Sequence, residues 1–418
     1  MIVRYFSKFN LTSIYYTLFE GLSKGGNQIL LILTASVISK SLYVQLMLLI
    51  SFESLLTLLF LSSNNDFLYA VNRNKHKKYI AFIVDTTFFQ SILFYVLYLS
   101  FKRHIDSYFN YDLSIIIVVI ILITGMTNVV RFYSTSYQID LDHNIAIRYK
   151  SLPFFFSFIT CVTFFLIFQD KIFAFFVGRL VGLLLFFFYI IYKHRIFHYI
   201  FSTDTLVFNF VFKRLKFSFL TSLLGWATSI GFFNFSKIIS DNEEALVVLG
   251  LTLNIFSILQ LFANGINQVY VPNLRTKYLE AKEIAVQYSL KILRLYFRLS
   301  IFFVIVFLFA LLFSPFLVSV LPNLETYLSN GNVFLVVVLF LIVSFQWIAA
   351  PYFSIMDKFK DFFYLNLIIN AFAWLTILLM YFGIGLSNFV VFYFILKTIV
   401  SASIFFYVLR KLIWQRVN

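Results

Sequence analysis

Long apolar segments alternate with short polar breaks along the whole chain. We predict that each apolar segment is a membrane-crossing helix, because most of them reach the roughly 20 residues that span a bilayer. The pattern therefore predicts an all-α integral membrane protein with about twelve transmembrane helices. The predicted spans are residues 11–38, 42–61, 80–100, 114–134, 151–169, 172–192, 217–239, 246–270, 299–321, 332–354, 362–382 and 389–409.

The composition excludes a soluble fold. Hydrophobic residues make up 61% of the 418 residues and charged residues only 12%, whereas about 25% of the residues in a soluble domain are charged. The same hydrophobicity excludes intrinsic disorder, and the single cysteine, Cys161, excludes a disulfide scaffold. The net charge of +15 would indicate nucleic-acid binding in a soluble protein. In a membrane protein we expect no nucleic-acid partner, and the distribution of the charge matters more.

The positive charges lie on alternate sides of the predicted spans. Of the 33 Lys and Arg residues, 24 fall in the termini and the connections on their side, and four in the opposite connections. Cytoplasmic loops carry the excess of Lys and Arg, so both termini are predicted to be cytoplasmic. Adding or removing one span would invert every later loop and destroy this asymmetry, which supports the count of twelve.

A wide polar interval, residues 193–216, divides the chain into two sets of six predicted spans. We therefore predict two six-helix bundles, residues 1–200 and 201–418. Two halves that each contain an even number of helices face the same way in the membrane. They are then related by a pseudo-two-fold axis along the membrane normal, as in one class of transporter repeat.

Eight ionisable side chains fall inside the predicted spans. Each costs roughly 2.5–3.5 kcal/mol or more near a helix centre, so such groups usually face a bundle interior or a water-filled cavity. We take the cations as candidate substrate-binding residues and the acids as candidate ion-coupling residues. The cations are Lys24, Arg131, Arg179, Lys237 and Lys397, and the acids are Glu20, Glu53 and Asp85.

Three of these side chains are close to a predicted span end. Arg131 and Lys237 lie two or three residues from the membrane surface, where a long side chain can reach water. Asp85 lies about five residues from the end of its span and could pair with nearby lysines. For these residues a structural role competes with a functional one.

The other five charged residues lie deeper in their predicted spans or have an oppositely charged residue nearby. Lys397 is predicted near the bilayer midplane, Arg179 is about seven residues inside its span, and Glu53 is near the middle of the second span. These three are the stronger functional candidates, with an internal ion pair as the alternative. Glu20 and Lys24 have the i, i+4 spacing of a helical ion pair, within a Gly-rich stretch that is too polar to face lipid.

The chain has none of the common catalytic or metal motifs. It contains no HExxH, CxxC, GxxxxGK[ST] or GxSxG pattern, so we expect no cofactor and no metal. A membrane glycosyltransferase, polymerase or ligase would be expected to carry a sizeable outer catalytic loop, and the predicted outer loops are short. The intramembrane charges sum to +2. That balance favours transport of an anionic, carbohydrate-bearing cargo over export of a cation.

The second half of the sequence resembles a known family in the order and spacing of four segments. They are Leu215–Leu220, Asn234–Ser240, Asn264–Pro272 and Phe313–Phe316. The resemblance is to Wzx-type O-antigen flippases, which belong to the polysaccharide transporter family within the multidrug/oligosaccharidyl-lipid/polysaccharide (MATE-like) exporter superfamily. One departure is Asn234, because the family often has an acidic residue in the seventh span.

The resemblance implies a function and a location. Such a protein moves an undecaprenyl-diphosphate-linked oligosaccharide from the cytoplasmic to the periplasmic leaflet of the bacterial inner membrane. The lipid tail stays in the bilayer while the diphosphate and sugars cross a hydrophilic cleft by alternating access, with a proton or sodium ion as a possible coupling ion. Fixed cations would offset part of the cost of taking the diphosphate out of water. Two alternatives stay open: a MATE-like drug exporter and a membrane-embedded glycosyltransferase, polymerase or ligase.

Overall fold

The structure is a computed structural model. It describes residues 38–61, 79–140, 142–227, 229–239, 242–281 and 283–294, together with isolated positions outside these ranges. In this part of the chain every regular element is a helix. The helices are α1 (Lys40–Leu59), α2 (Ile80–Phe109), α3 (Ser114–Ile139), α4 (His143–Ile167), α5 (Lys171–His194), a 3-10 turn (Ile196–Tyr199), α6 (Thr205–Ala227), α7 (Gly231–Ile239) and α8 (Glu243–Glu280).

Five of these helices are long and apolar enough to cross a membrane. They are α1 to α5, and they correspond to the second to sixth predicted spans. The first and the last four predicted spans lie outside the continuously described ranges. The helices follow the apolar pattern because every backbone N–H and C=O group must be satisfied internally at bilayer depth.

Helix α2 is longer than predicted and fills most of the expected loop at residues 101–113. It ends where Asn110 adopts a left-handed conformation, with φ of 50°, which asparagine tolerates well. The short connection to α3 is held by Tyr111, whose hydroxyl donates a 2.5 Å hydrogen bond to Asp170 at the start of α5. Burial and this hydrogen bond raise the pKa of the Tyr111 hydroxyl. The loop is therefore a fixed part of the fold.

Helices α4 and α5 pack in direct backbone contact. A Cβ atom added to Gly182 would lie 2.5 Å from the backbone of Phe156, and one added to Gly178 would lie 2.7 Å from Cα of Cys161. The two glycines are four residues apart on one face of α5, the small-xxx-small spacing that allows close approach of membrane helices. Nothing larger than glycine fits at these two positions.

The seventh predicted span, 217–239, is not one helix. Helix α6 ends at Ala227, and α7 begins at Gly231 after a turn that includes Ser229 and Ile230. A Cβ atom on Gly231 would lie 2.6 Å from the Trp226 ring, so the chain folds back on the indole at this break. Hydropathy does not reveal the break because strongly apolar residues flank its few small and polar residues closely on both sides.

The contacts divide the chain into two compact units. One contains Ser41–Asn234 and Leu22–Leu30, and the other contains Phe235–Asn418, Leu31–Lys40 and Met1–Gly21. In the second unit Lys40 and Glu244 form a 2.5 Å ion pair at the first turns of α1 and α8. The division into bundles at residues 1–200 and 201–418 stays a prediction.

Candidate functional site

Arg179 on α5 and Glu53 on α1 form an ion pair within the first unit. Both terminal nitrogens of the guanidinium donate to the carboxylate, Nη1 to Oε2 and Nη2 to Oε1, each at 2.7 Å. The side chains are 13% and 12% exposed. This planar two-point geometry is the strongest pairing available to arginine. The pair is thus a fixed, mostly buried feature, and of the alternatives weighed for these residues the internal ion pair is the arrangement present.

The backbone that carries Arg179 is held by small polar residues of α4. Ser157 Oγ donates a 3.0 Å hydrogen bond to the Arg179 carbonyl oxygen, and Thr160 Oγ1 donates a 2.6 Å hydrogen bond to the Gly178 carbonyl oxygen. These bonds are possible only because Gly178 and Gly182 let α4 approach α5. The guanidinium is therefore aimed at α1 from a rigid helix pair.

Aromatic rings and a small cleft surround the guanidinium. Its Cζ atom lies 5.2 Å from the ring centre of Phe175 and 5.9 Å from that of Phe176, within cation–π range. A cleft of about 30 Å³ reaches Arg179 between α3, α4 and α5, which is room for one or two water molecules. Its lining residues are Ile123, Thr127, Val130, Pro153, Phe154, Ser157, Arg179 and Leu183.

Asp85 has a different environment from Glu53. Its carboxylate accepts hydrogen bonds from the Phe201 N–H at 2.6 Å, the Thr203 N–H at 3.1 Å and the Thr203 hydroxyl at 2.6 Å. Phe201 has a left-handed backbone with φ of 59°, a conformation that costs a non-glycine residue about 1–2 kcal/mol. Asp85 thus anchors the connection between α5 and α6 in a strained turn.

We expect Asp85→Asn to loosen this connection. An amide replaces one accepting oxygen by a donor, which would face either the Phe201 N–H or the Thr203 N–H and hydroxyl. Hydrogen bonds to charged groups are worth about 1.5–3 kcal/mol. Limited proteolysis should therefore cut residues 195–204 faster in the variant, and its unfolding temperature should be lower. Glu283→Gln, at an exposed glutamate within residues 283–294, is the control. Equal proteolysis of the two variants would show that Asp85 has no anchoring role.

The remaining predicted residues fall into those that the structure describes and those that it does not. Arg131 is exposed on α3, and Lys237 is half-buried on α7 in the part of that helix that belongs to the second unit. Lys24, Lys397 and Glu20 lie outside the described residues. The substrate and ion-coupling roles of all these residues stay predictions.

Sequence reasoning missed Ser51, which holds the break between α6 and α7. Its hydroxyl donates to the Ile230 carbonyl oxygen at 2.9 Å and accepts from Asn234 Nδ2 at 3.0 Å. Its own carbonyl oxygen accepts from Trp226 Nε1 at 3.1 Å. A single serine in an apolar span carries no periodic signal. Ser51 gains its importance only from the turn opposite, where the Ile230 carbonyl oxygen accepts from the Phe233 N–H as well as from the serine hydroxyl.

Helix α1 therefore carries two polar anchors near its centre. Ser51 binds the broken helix, and Glu53, two residues later, binds α5. Residues two apart on a helix point in widely different directions, so α1 is held from two sides. The chemistry available at Arg179 is anion recognition, because a guanidinium fork matches a carboxylate or a phosphate equally well. Among the described residues, no cluster of three or more metal-ligating side chains is found.

Comparisons with known proteins show the fold. No protein-family model matches the chain, and no curated protein sequence matches it. The chain is similar to a solved eukaryotic MATE transporter, with a TM-score of 0.72, 12% identity and coverage of 97% of this chain and 96% of that one. A mutant of the Vibrio cholerae MATE transporter VcmN gives a TM-score of 0.70 and 11% identity, covering 96% and 95%.

A third solved structure extends the likeness to another member of that family. It is an outward-facing multidrug resistance MATE family transporter of the MOP superfamily, with a TM-score of 0.68, 13% identity and coverage of 96% and 95%. The predicted all-α integral membrane fold is confirmed. The fold is that of MATE-type membrane transporters, over nearly the whole length of both chains.

Proposed function

We propose that this protein is a flippase for an undecaprenyl-diphosphate-linked oligosaccharide, the O-antigen repeat unit, in the bacterial inner membrane. Both termini are cytoplasmic, and the cargo moves to the periplasmic leaflet by alternating access. The observation that supports this most is Arg179, a guanidinium held rigidly on the long apolar helix α5 beside a cleft lined by the hydroxyl-bearing residues Thr127 and Ser157. A guanidinium matches the negative charge of a diphosphate, and the hydroxyl groups take the place of the water molecules that hydrate the sugars.

The MATE-type fold supports transport as the general activity. The resemblance of the second half to O-antigen flippases supplies the cargo class. Glu53 is the proposed coupling residue of the first unit, since it is the acid that meets the anion-binding cation. Lys24, Lys397, Arg131 and Lys237 are proposed as further cargo contacts, and Glu20 as a second coupling residue. For Asp85, three accepted hydrogen bonds favour the anchoring role over ion coupling.

A reconstituted transport assay tests this proposal. Protein in liposomes is given undecaprenyl-diphosphate disaccharide with a fluorescent label on the sugar, and dithionite quenching reports its arrival in the outer leaflet. We expect wild type to flip the lipid and the double variant Arg179→Gln/Glu53→Gln, which keeps a neutral hydrogen-bonded pair, to flip it at least tenfold more slowly. Gly225→Leu, at an open position on α6, should behave as wild type.

The outcomes separate the candidate functions. Absence of flipping by wild type would overturn the proposed function, and normal flipping by the double-glutamine variant would overturn the role of Arg179. Export of cationic drugs, which the likeness to a multidrug resistance transporter favours, would instead appear as resistance of expressing cells to ethidium. Lengthening of the sugar on the recovered lipid, detected by mass spectrometry, would indicate a glycosyltransferase or polymerase.

A further inference from the structure

The guanidinium fork of Arg179 is already occupied. Glu53 takes up both terminal nitrogens at 2.7 Å, in the two-point geometry that a phosphate oxygen pair would use. The adjoining cleft, at about 30 Å³, holds only one or two water molecules. A diphosphate cannot reach Arg179 in this arrangement unless the carboxylate leaves.

We propose that Glu53 is a built-in competitor for the anionic group of the cargo. The carboxylate neutralises Arg179 through both terminal nitrogens, and a lipid diphosphate binds by displacing it from the same two N–H groups. This inference rests on the proposed function and says how the affinity of its anion site is controlled. It assigns Glu53 a role in setting affinity, separate from contact with the cargo.

The surroundings make such an exchange possible without moving Arg179. Hydrogen bonds from Ser157 to the Arg179 carbonyl and from Thr160 to the Gly178 carbonyl fix the arginine backbone, and Phe175 and Phe176 support its guanidinium. Glu53 lies on α1, which contributes no residue to the lining of the cleft, whereas α4 and α5, which line it, are locked together at the glycines of α5. The carboxylate can therefore leave the guanidinium without any change in the packing of α4 against α5.

Displacement of Glu53 from Arg179 also affects α1. When Glu53 releases Arg179, α1 loses its link to α5 but keeps the hydrogen bonds of Ser51 to Ile230, Asn234 and Trp226. Arrival of the anion is thereby linked to a freer position of α1. Transport by alternating access needs a mobile element of this kind.

Binding of farnesyl diphosphate to the purified protein tests the proposal, with farnesol as the uncharged control ligand. We expect Glu53→Gln to bind farnesyl diphosphate at least tenfold more tightly than wild type, because the amide competes weakly for the guanidinium. Wild type and Glu53→Gln should bind farnesyl diphosphate more tightly than farnesol. Arg179→Gln and the double-glutamine variant should bind the two ligands equally. Equal or weaker binding by Glu53→Gln would overturn the proposal.

A second measurement uses the wild-type protein and does not depend on how a variant folds. A hydrophobic carbodiimide labels intramembrane carboxyl groups, and mass spectrometry locates the label. Farnesyl diphosphate should increase labelling of Glu53 at least threefold, since the displaced carboxyl group becomes accessible, while farnesol should not. Unchanged or decreased labelling of Glu53 with bound diphosphate would mean that the carboxylate stays on Arg179.

These readouts are independent of the flipping assay. If wild type flips the labelled lipid but Glu53→Gln gains no affinity, the competitor role fails and the proposed function stands. If Glu53→Gln gains affinity but wild type flips nothing, the anion exchange stands and the flippase function fails.

Discussion

Replacing Gly182 by leucine is expected to lower the yield of folded protein severalfold. A Cβ atom at this position would lie 2.5 Å from the Phe156 carbonyl group and the Ser157 Cα, and the helix backbones cannot yield as a flexible side chain could. Overpacking of this kind costs about 3 kcal/mol or more, a large share of a typical stability of about 5–15 kcal/mol. The yield of monodisperse protein after detergent extraction, followed by size-exclusion chromatography, measures the effect.

The matched control is Gly225→Leu, the same change on another helix. Nothing lies within 4 Å of a Cβ atom at Gly225, and leucine is favoured over glycine in a helix interior by roughly 0.5–1 kcal/mol. This variant should give wild-type yield and an equal or higher unfolding temperature. If Gly182→Leu also elutes as a folded, monodisperse species, the backbone contact of α4 with α5 is not required for the fold.

Arg179→Gln is expected to destabilise the protein by about 3–5 kcal/mol, because it leaves the Glu53 carboxylate mostly buried without a countercharge. Adding Glu53→Gln to that variant should recover at least half of the loss. The second change removes the uncompensated charge and restores a neutral hydrogen bond between two amides. This recovery distinguishes a specific ion pair from a general effect of changing Arg179.

Unfolding in mild detergent, followed by tryptophan fluorescence against denaturant, gives the free energies of this cycle. Lys171→Gln at the start of α5 serves as the reference for loss of a cation outside the pair; its ammonium group contacts the Phe165 and Phe168 carbonyl oxygens. A double variant no more stable than Arg179→Gln alone would show that the two side chains act separately, and the exchange proposed for Glu53 would lose its basis.

The sequence predicts the membrane helices well where hydropathy alone decides them. The starts of α2, α3 and α5 lie within one residue of the predicted spans at 80, 114 and 172. The end of α2 was wrong by nine residues because a helix can continue beyond the bilayer until a residue such as Asn110 stops it. Hydropathy measures burial in lipid, and helix termination depends on local backbone chemistry.

The candidate site was only partly predictable. Depth along a span identified Arg179 and Glu53 as costly charges, and the need to compensate them suggested an ion pair. Their pairing joins residues 126 positions apart, which no local pattern encodes. The roles of Gly178 and Gly182 follow from their spacing of four only once α4 is known to lie against that face. Tertiary contact, and not residue type, determines these features.

The three hydrogen bonds of Ser51 join the centre of α1 to both sides of the unwound turn between α6 and α7. A discontinuous helix normally adds flexibility, since its two pieces can tilt separately about the break. Here the hydrogen bonds of Ser51 connect the residues on the two sides of the break. Tilting of α1 would therefore displace Trp226 and Asn234 together, and the break would transmit this movement instead of absorbing it.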